Sequence, residues 1–223
     1  MRDNTTIARR YFAKEQFSFT QISLSIMCLV IVLSGCSTKI NVKGNFPKPV
    51  VHQMPLAIGV HFPVAFSEYR YIEQSETRSD RDIGIGQAQV QLFSTILPAM
   101  FKSVVPVAKP EKGQVTDAVD LILSFSVDDF QYSVPKETRV EMYEVWIKYN
   151  LQLFDPQGQL IADWLLTAYG KTPVEMLKTE GDALNAAMVV ALRDAGAGFS
   201  LNFTKVPEIK QWLQQRSNSS SNI

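Results

Sequence analysis

Cys28 and Cys36 are the only thiols of the chain, and His52 and His61 its only imidazoles. A hydrolase would need one of these groups, or a serine in a Gly-x-Ser-x-Gly elbow, beside a base and an orienting carboxylate. The elbow does not occur, and neither histidine has a second ligand at the spacing of a zinc site. Asp128-Asp129 suggests a catalytic acid pair or calcium ligands. Adjacent strand residues point to opposite faces, so these carboxylates do not converge on one bond. Phe130, Tyr132 and Val134 stand where a calcium loop carries oxygen ligands. Arg193-Asp194 falls on the solvated side of a helical pattern. Gly84-Ile85-Gly86 lacks both the third glycine of the dinucleotide fingerprint and the Gly-Lys-Ser/Thr ending of a phosphate loop. These residues predict no enzyme, no cofactor and no metal site.

Cys36 is different. Leu33-Ser34-Gly35-Cys36 closes the apolar run Ile22–Leu33, and Arg2, Arg9, Arg10 and Lys14 precede that run against only Asp3 and Glu15. A membrane span needs about 20 apolar residues to cross roughly 30 Å of hydrocarbon. This run is shorter and is interrupted by Ser23 and Ser25, as in the apolar region of a secretory signal. The tetrapeptide resembles the lipobox of bacterial lipoproteins. That resemblance implies cleavage between Gly35 and Cys36, and acylation of the Cys36 thiol with a three-chain anchor. One chain holds only marginally, at about 0.8 kcal/mol per buried CH₂, whereas several make attachment stable. Ser37 stands where an inner-membrane retention signal would show aspartate, so the resemblance implies the outer membrane, with the body facing the periplasm. Arg9-Arg10-Tyr11-Phe12-Ala13-Lys14 resembles a twin-arginine export motif, with Ala8 and Ala13 departing from it. A basic leader for the general secretory route is the simpler reading, because no cofactor motif requires export of a folded chain.

The whole chain carries 22 Lys/Arg and 22 Asp/Glu. Removal of residues 1–35 leaves a slight acidic excess, which argues against nucleic acid as a partner, since that would want a basic stripe. Cys28 leaves with the signal and Cys36 carries lipid, so no disulfide is available and the core must hold the fold unaided. The expected organisation is a signal peptide over 1–35, a tether over 36–54, one folded body over 55–215 and a disordered tail over 216–223. The tether reading rests on Lys39, Lys43, Gly44, Pro47, Lys48 and Pro49, which show no sustained periodicity.

Within the body, Leu56, Ile58, Val60 and Phe62 alternate as a strand. Ser67 to Asp82 is strongly polar and reads as a long disordered loop, with Tyr69 and Tyr71 as contact residues. Ile85, Ala88, Leu92, Ile96 and Met100 share one helical face. Val104–Val107 is a short strand that Pro106 confines to an edge or a strand end. Leu121, Leu123, Phe125 and Val127 form a further strand. Val145 to Leu153 and Leu160 to Tyr169 alternate on either side of Asp155-Pro156-Gln157-Gly158-Gln159, the strongest hairpin signal in the chain. Trp146 falls on the polar face of its strand, where a bare indole would mark a contact surface and an overlying loop or helix is the simpler reading. Leu184, Ala187, Met188, Ala191, Leu192 and Ala195 form the buried stripe of a last long helix, followed by a short amphipathic helix to Trp212 and Leu213.

This order predicts an α+β two-layer sandwich: a mostly antiparallel mixed sheet with two main helices on one face. Together with the hairpin and the alanine-rich helix, it resembles the periplasmic domain shared by curli-secretion lipoproteins, activators of peptidoglycan synthases and the TolB N-terminal domain. The resemblance covers roughly 55 to 203 and is one of pattern, with no diagnostic motif. It implies a non-enzymatic interaction and assembly module of the cell envelope, its partners a membrane through Cys36 and an envelope protein through Tyr69, Tyr71 and Trp146. Homo-oligomerisation stays open. The alternative is an accessory lipoprotein holding a lipid or small molecule in a groove between sheet and helices; a hydrolase ranks last.

Overall fold

A computed structural model describes residues 38–74, 80–113, 115, 118–135, 141–174 and 179–221. Leu33–Cys36, the signal segment and the twin arginines lie outside them. The chain divides into two units; the larger, Lys39–Glu73 with Arg81–Ile223, carries all the elements that follow apart from Thr38, the first residue of β1.

Five strands form the main sheet in the order β5-β2-β6-β7-β8: β2 (Met54–His61), β5 (Phe101–Pro106), β6 (Leu121–Ser133), β7 (Met142–Phe154) and β8 (Leu160–Pro173). Strand β2 runs parallel to both β5 and β6, and β6-β7-β8 is an antiparallel meander. A second sheet has the order β1-β4-β3, from β1 (Thr38–Asn41), β4 (Arg81–Gly84) and β3 (Arg70–Glu73). Helices α1 (Val64–Ser67), α2 (Gly86–Met100), α3 (Glu180–Asn202) and α4 (Pro207–Ser221) complete the α+β fold, with a 3₁₀ turn at Phe203–Lys205. As Pro106 requires, β5 is an edge strand.

The apolar stripes find each other. Helix α2 buries Ala88, Leu92, Phe93, Ile96 and Met100, and α3 buries Leu184, Ala187, Met188, Ala191, Leu192 and Ala195. Both lie over the sheet face that carries Phe125, Val145, Ile147, Tyr149 and Leu151. Phe93 is the hub: its ring centre lies 4.3 Å from that of Phe125, 5.8 Å from Phe199 and 6.0 Å from Tyr149. Each such aromatic pair adds about 0.5–1.5 kcal/mol beyond its area. Thr179 caps α3 by accepting from Asp182 N–H at 3.1 Å, while the Asp182 carboxylate reaches back to Thr179 N–H. Between β7 and β8, Gly158 supplies the positive φ of the turn at 74°, and Asp155 Oδ1 accepts from the N–H groups of Gln157 and Gln159.

Three segments depart from the sequence reading. The stretch expected as a tether belongs to the fold: Ile40, Val42 and Phe46 are buried. Asn185 of α3 accepts from Lys43 N–H at 2.9 Å and donates to Lys43 C=O at 3.2 Å, and Arg193 donates to Asn45 C=O at 2.9 Å. The alternation of Ile40 and Val42 between lysines was the missed signal, masked by the glycine and prolines that follow. The polar stretch Ser67–Asp82, of which 75–79 lie outside the described residues, holds the end of α1 and the pairing of β3 with β4, in which Tyr71 opposes Ile83. Finally, α4 continues to Ser221 through residues expected to be disordered. The hydroxyls of Ser217 and Ser219 donate to Gln214 and Gln215 C=O along this exposed turn.

Candidate functional site

With the helices and the small sheet on one face, the other face of β6-β7-β8 carries the outward residues. Trp146, 40% exposed, is the largest apolar side chain among them. Its cross-strand partner is Tyr169, ring centres 5.3 Å apart. The Tyr169 hydroxyl donates to Glu144 at 2.5 Å, and this bond to a carboxylate raises the tyrosine pKa. Among the described residues no loop or helix covers Trp146, contrary to the simpler sequence reading. A depression of about 280 Å³ adjoins it, lined by Asp129, Gln131, Lys148 and Thr167.

Asp128 is the extra residue of a bulge, since Val127 opposes Tyr149 while Asp129 opposes Lys148. Both carboxylates are exposed, and the Asp128 carboxylate lies 2.7 Å from Lys148 Nζ, whose pKa this bond raises. The pair is thus a charged rim beside an aromatic platform, a mixture suited to a protein contact.

Tyr69 and Tyr71 are not contact residues of a free loop. Tyr71 packs 5.1 Å from Phe130 and 5.8 Å from Tyr132, and Tyr69 lies 6.5 Å from Phe130. They join the small sheet to β6. Burial raises the Tyr69 pKa first, and Asp129 adds to it. The hairpin turn pairs Phe154 with Leu160, a register that by itself would set Ala168 opposite Trp146. Sequence reasoning missed the pair because the one-residue slip between Leu153 and Phe154 hides which β8 residue opposes Trp146.

The space between sheet and helices is filled by the ring cluster around Phe93. A larger groove, about 510 Å³, lies elsewhere, lined by Lys43, Gly44, Tyr69, Arg70, Gly86 and Gln87 among others. Arg70 donates to Asp82 at 2.5 Å and to Asn41 at 3.0 Å, leaving Nη2 buried without a partner. Among the described residues no cluster of three His, Cys, Asp or Glu could hold a metal ion, and no helix is long and apolar enough to cross a membrane. The Arg193 and Asp194 side chains are structural: Asp194 accepts from Tyr169 N–H at 3.0 Å on the free edge of β8.

No family model and no curated protein matches the chain. Solved structures with similar arrangement include a DUF330 protein from Xanthomonas campestris, at 15% identity and TM-score 0.49, covering 79% of this chain and 99% of that one. A minor lipoprotein from Acinetobacter baumannii gives 12% identity and TM-score 0.39 over 68% of this chain and 92% of its own. Uncharacterized lipoprotein B from Nitrosomonas europaea gives 16% and 0.37 over 76% and 97%.

Proposed function

We propose that the protein is a lipid-anchored lipoprotein of the outer membrane whose periplasmic body is a non-enzymatic interaction module. The anchor is the acylated Cys36, and the contact surface is the open sheet face around Trp146. One observation carries the second part: an indole left 40% exposed, backed by Tyr169 and rimmed by Asp128, Asp129 and Lys148. Large amphipathic rings in a polar surround are the composition of protein-contact hot spots.

The test is site-specific photocrosslinking in cells, with a benzophenone amino acid at Trp146 and, as a control, at Gln157 in the β7–β8 turn. The expected result is an adduct with one envelope protein from position 146 and none from 157. Adducts from neither position, or the same adducts from both, overturn the contact surface. Palmitate labelling of the chain and of its Cys36→Ser variant tests the anchor separately: equal labelling overturns it.

A further inference from the structure

The segment 39–49 runs along α3 from its first turn onward. Lys39 and Ile40 share a depression with Thr179, Gly181 and Asp182 at the start of the helix. Lys43 bonds to Asn185, and Asn45 to Arg193 further along. The upstream end of the segment therefore lies at the N-terminal end of α3. That end of the body also holds the Arg81 cluster. Arg81 Nη1 donates to the Tyr132 hydroxyl at 2.8 Å, Nη2 pairs with Glu180, and the same hydroxyl donates to Glu73. The last residues of β3, β6 and β8, and the first of β4, β7 and α3, thus converge where the chain arrives from Cys36.

Only Ser37 and Thr38 separate Cys36 from Lys39. Three Cα steps reach at most about 11 Å, too short for the body to stand away from a bilayer that holds Cys36. Among the exposed side chains here three suit lipid: Ile72 is 66% and Val174 49% exposed, and Lys39 keeps 64% of its side chain in solvent, 3.9 Å from Asp82; the carboxylates of Glu141, Glu180 and Asp182 are exposed at the same end.

We infer that the acylated protein sits flush on the leaflet with its Arg81 end down, Lys39 among the headgroup phosphates and Ile72 and Val174 in the interfacial layer. This rests on the acylation of Cys36 proposed above. The β7–β8 turn then points away from the membrane, because the fourteen residues of β8 separate Leu160 from Val174 by about 45 Å.

Because the mature acylated chain has no other cysteine, I72C, V174C and L160C each supply one free thiol for a fluorophore, at exposed positions where folding is undisturbed. The labelled lipoproteins are reconstituted into vesicles of phosphatidylethanolamine and phosphatidylglycerol carrying a headgroup nitroxide. Labels at 72 and 174 are expected to be quenched several-fold more than the label at 160. Inserting about twenty Gly/Ser residues after Ser37 should remove that difference while the protein still floats with the vesicles. Equal quenching at all three positions in a floating protein overturns the flush placement and leaves the anchor standing. A chain that carries no acyl mass and does not float overturns the anchor, and the placement falls with it.

Discussion

The Arg81 guanidinium donates to the Tyr132 hydroxyl at 2.8 Å and lies over the same ring, its Cζ 5.1 Å from the ring centre. The side chain is 8% exposed, and its second nitrogen pairs with Glu180. One cation thereby ties β4 to β6 and to the first turn of α3. Burial alone disfavours the charged form, yet the bond to Tyr132 and the charges of Glu180 and Glu73 outweigh it and hold the guanidinium pKa above its ordinary value. Arg81→Ala is expected to cost about 2–3 kcal/mol in urea unfolding, the low end for a buried pair because Glu180 is 41% exposed. Arg81→Lys should recover little of it, since an ammonium does not present the planar fork that reaches both partners at once. Unchanged stability in the alanine variant would show that the small sheet is held without this cation.

At Gly170 the backbone of β8 lies close against that of α3. A Cβ built there would lie 2.2 Å from Ala187 C=O and 2.3 Å from Ala191 N–H nitrogen, both backbone atoms that no rotamer change can move. Ala187 and Ala191 are themselves fully buried, so helix and strand meet through their smallest residues. Gly170→Ala is therefore expected to cost about 3 kcal/mol or more, the upper range for overpacking. Gly198→Ala is the control, because its nearest neighbour is the flexible end of Leu166 at 3.2 Å. Thermal unfolding of the two variants should separate them clearly.

Tyr149 titrates against the fold. It is fully buried, and its hydroxyl donates to Gln89 at 3.2 Å, while Gln89 donates to Phe66 C=O at 2.5 Å. Burial pushes the phenol pKa up from its ordinary 10.0, and Tyr69 adds to the effect. With the folded pKa above the unfolded one, this contribution to stability is complete below pH 10.0. It is lost as pH rises further, because only the unfolded chain releases the proton readily. Urea unfolding between about pH 8 and pH 11 should show this fall, and Tyr149→Phe should flatten it. At neutral pH the same variant is expected to lose about 1 kcal/mol, because the Gln89 carbonyl is left without its donor. An unchanged alkaline slope would assign the fall to Tyr69, Tyr132, Tyr143 and Tyr169, whose pKa values are also raised.

The parts of this molecule that could be read in advance are those whose signal is local. The β7–β8 hairpin follows from Asp155 and Gly158, and α3 from its alanine stripe, because turn chemistry and a period near 3.6 act over a few residues. Gln89 shows the limit. Its position on the buried side of α2 is explained by Phe66 C=O and the Tyr149 hydroxyl, which come from α1 and β7. Tyr71 shows it again: a tyrosine in a polar run reads as a binding residue until Phe130 and Tyr132 arrive from another sheet. Trp146 was legible as an outward position, but whether anything lay over it depended on where α2, α3 and the small sheet packed.

The docked segment gives the sharpest test, because two readings of it predict opposite behaviour. A tether of 36–54 would be cut by protease without loss of stability. In the structure Phe46 is 4% exposed, Val189 of α3 lies against Gly44, and both backbone polar groups of Lys43 are held by Asn185. Phe46→Ala is expected to destabilise the body by about 3 kcal/mol, the figure for truncating a buried phenylalanine. Asn185→Ala, which frees one exposed donor and one exposed acceptor to water, should cost about 1 kcal/mol. Limited trypsin proteolysis of the native chain should spare Lys39 and Lys43, with cleavage there accelerating in both variants as the segment lifts from α3. Rapid cleavage at Lys43 in the unaltered protein, with stability unaffected by Phe46→Ala, would return the segment to a tether and separate the body from the membrane surface.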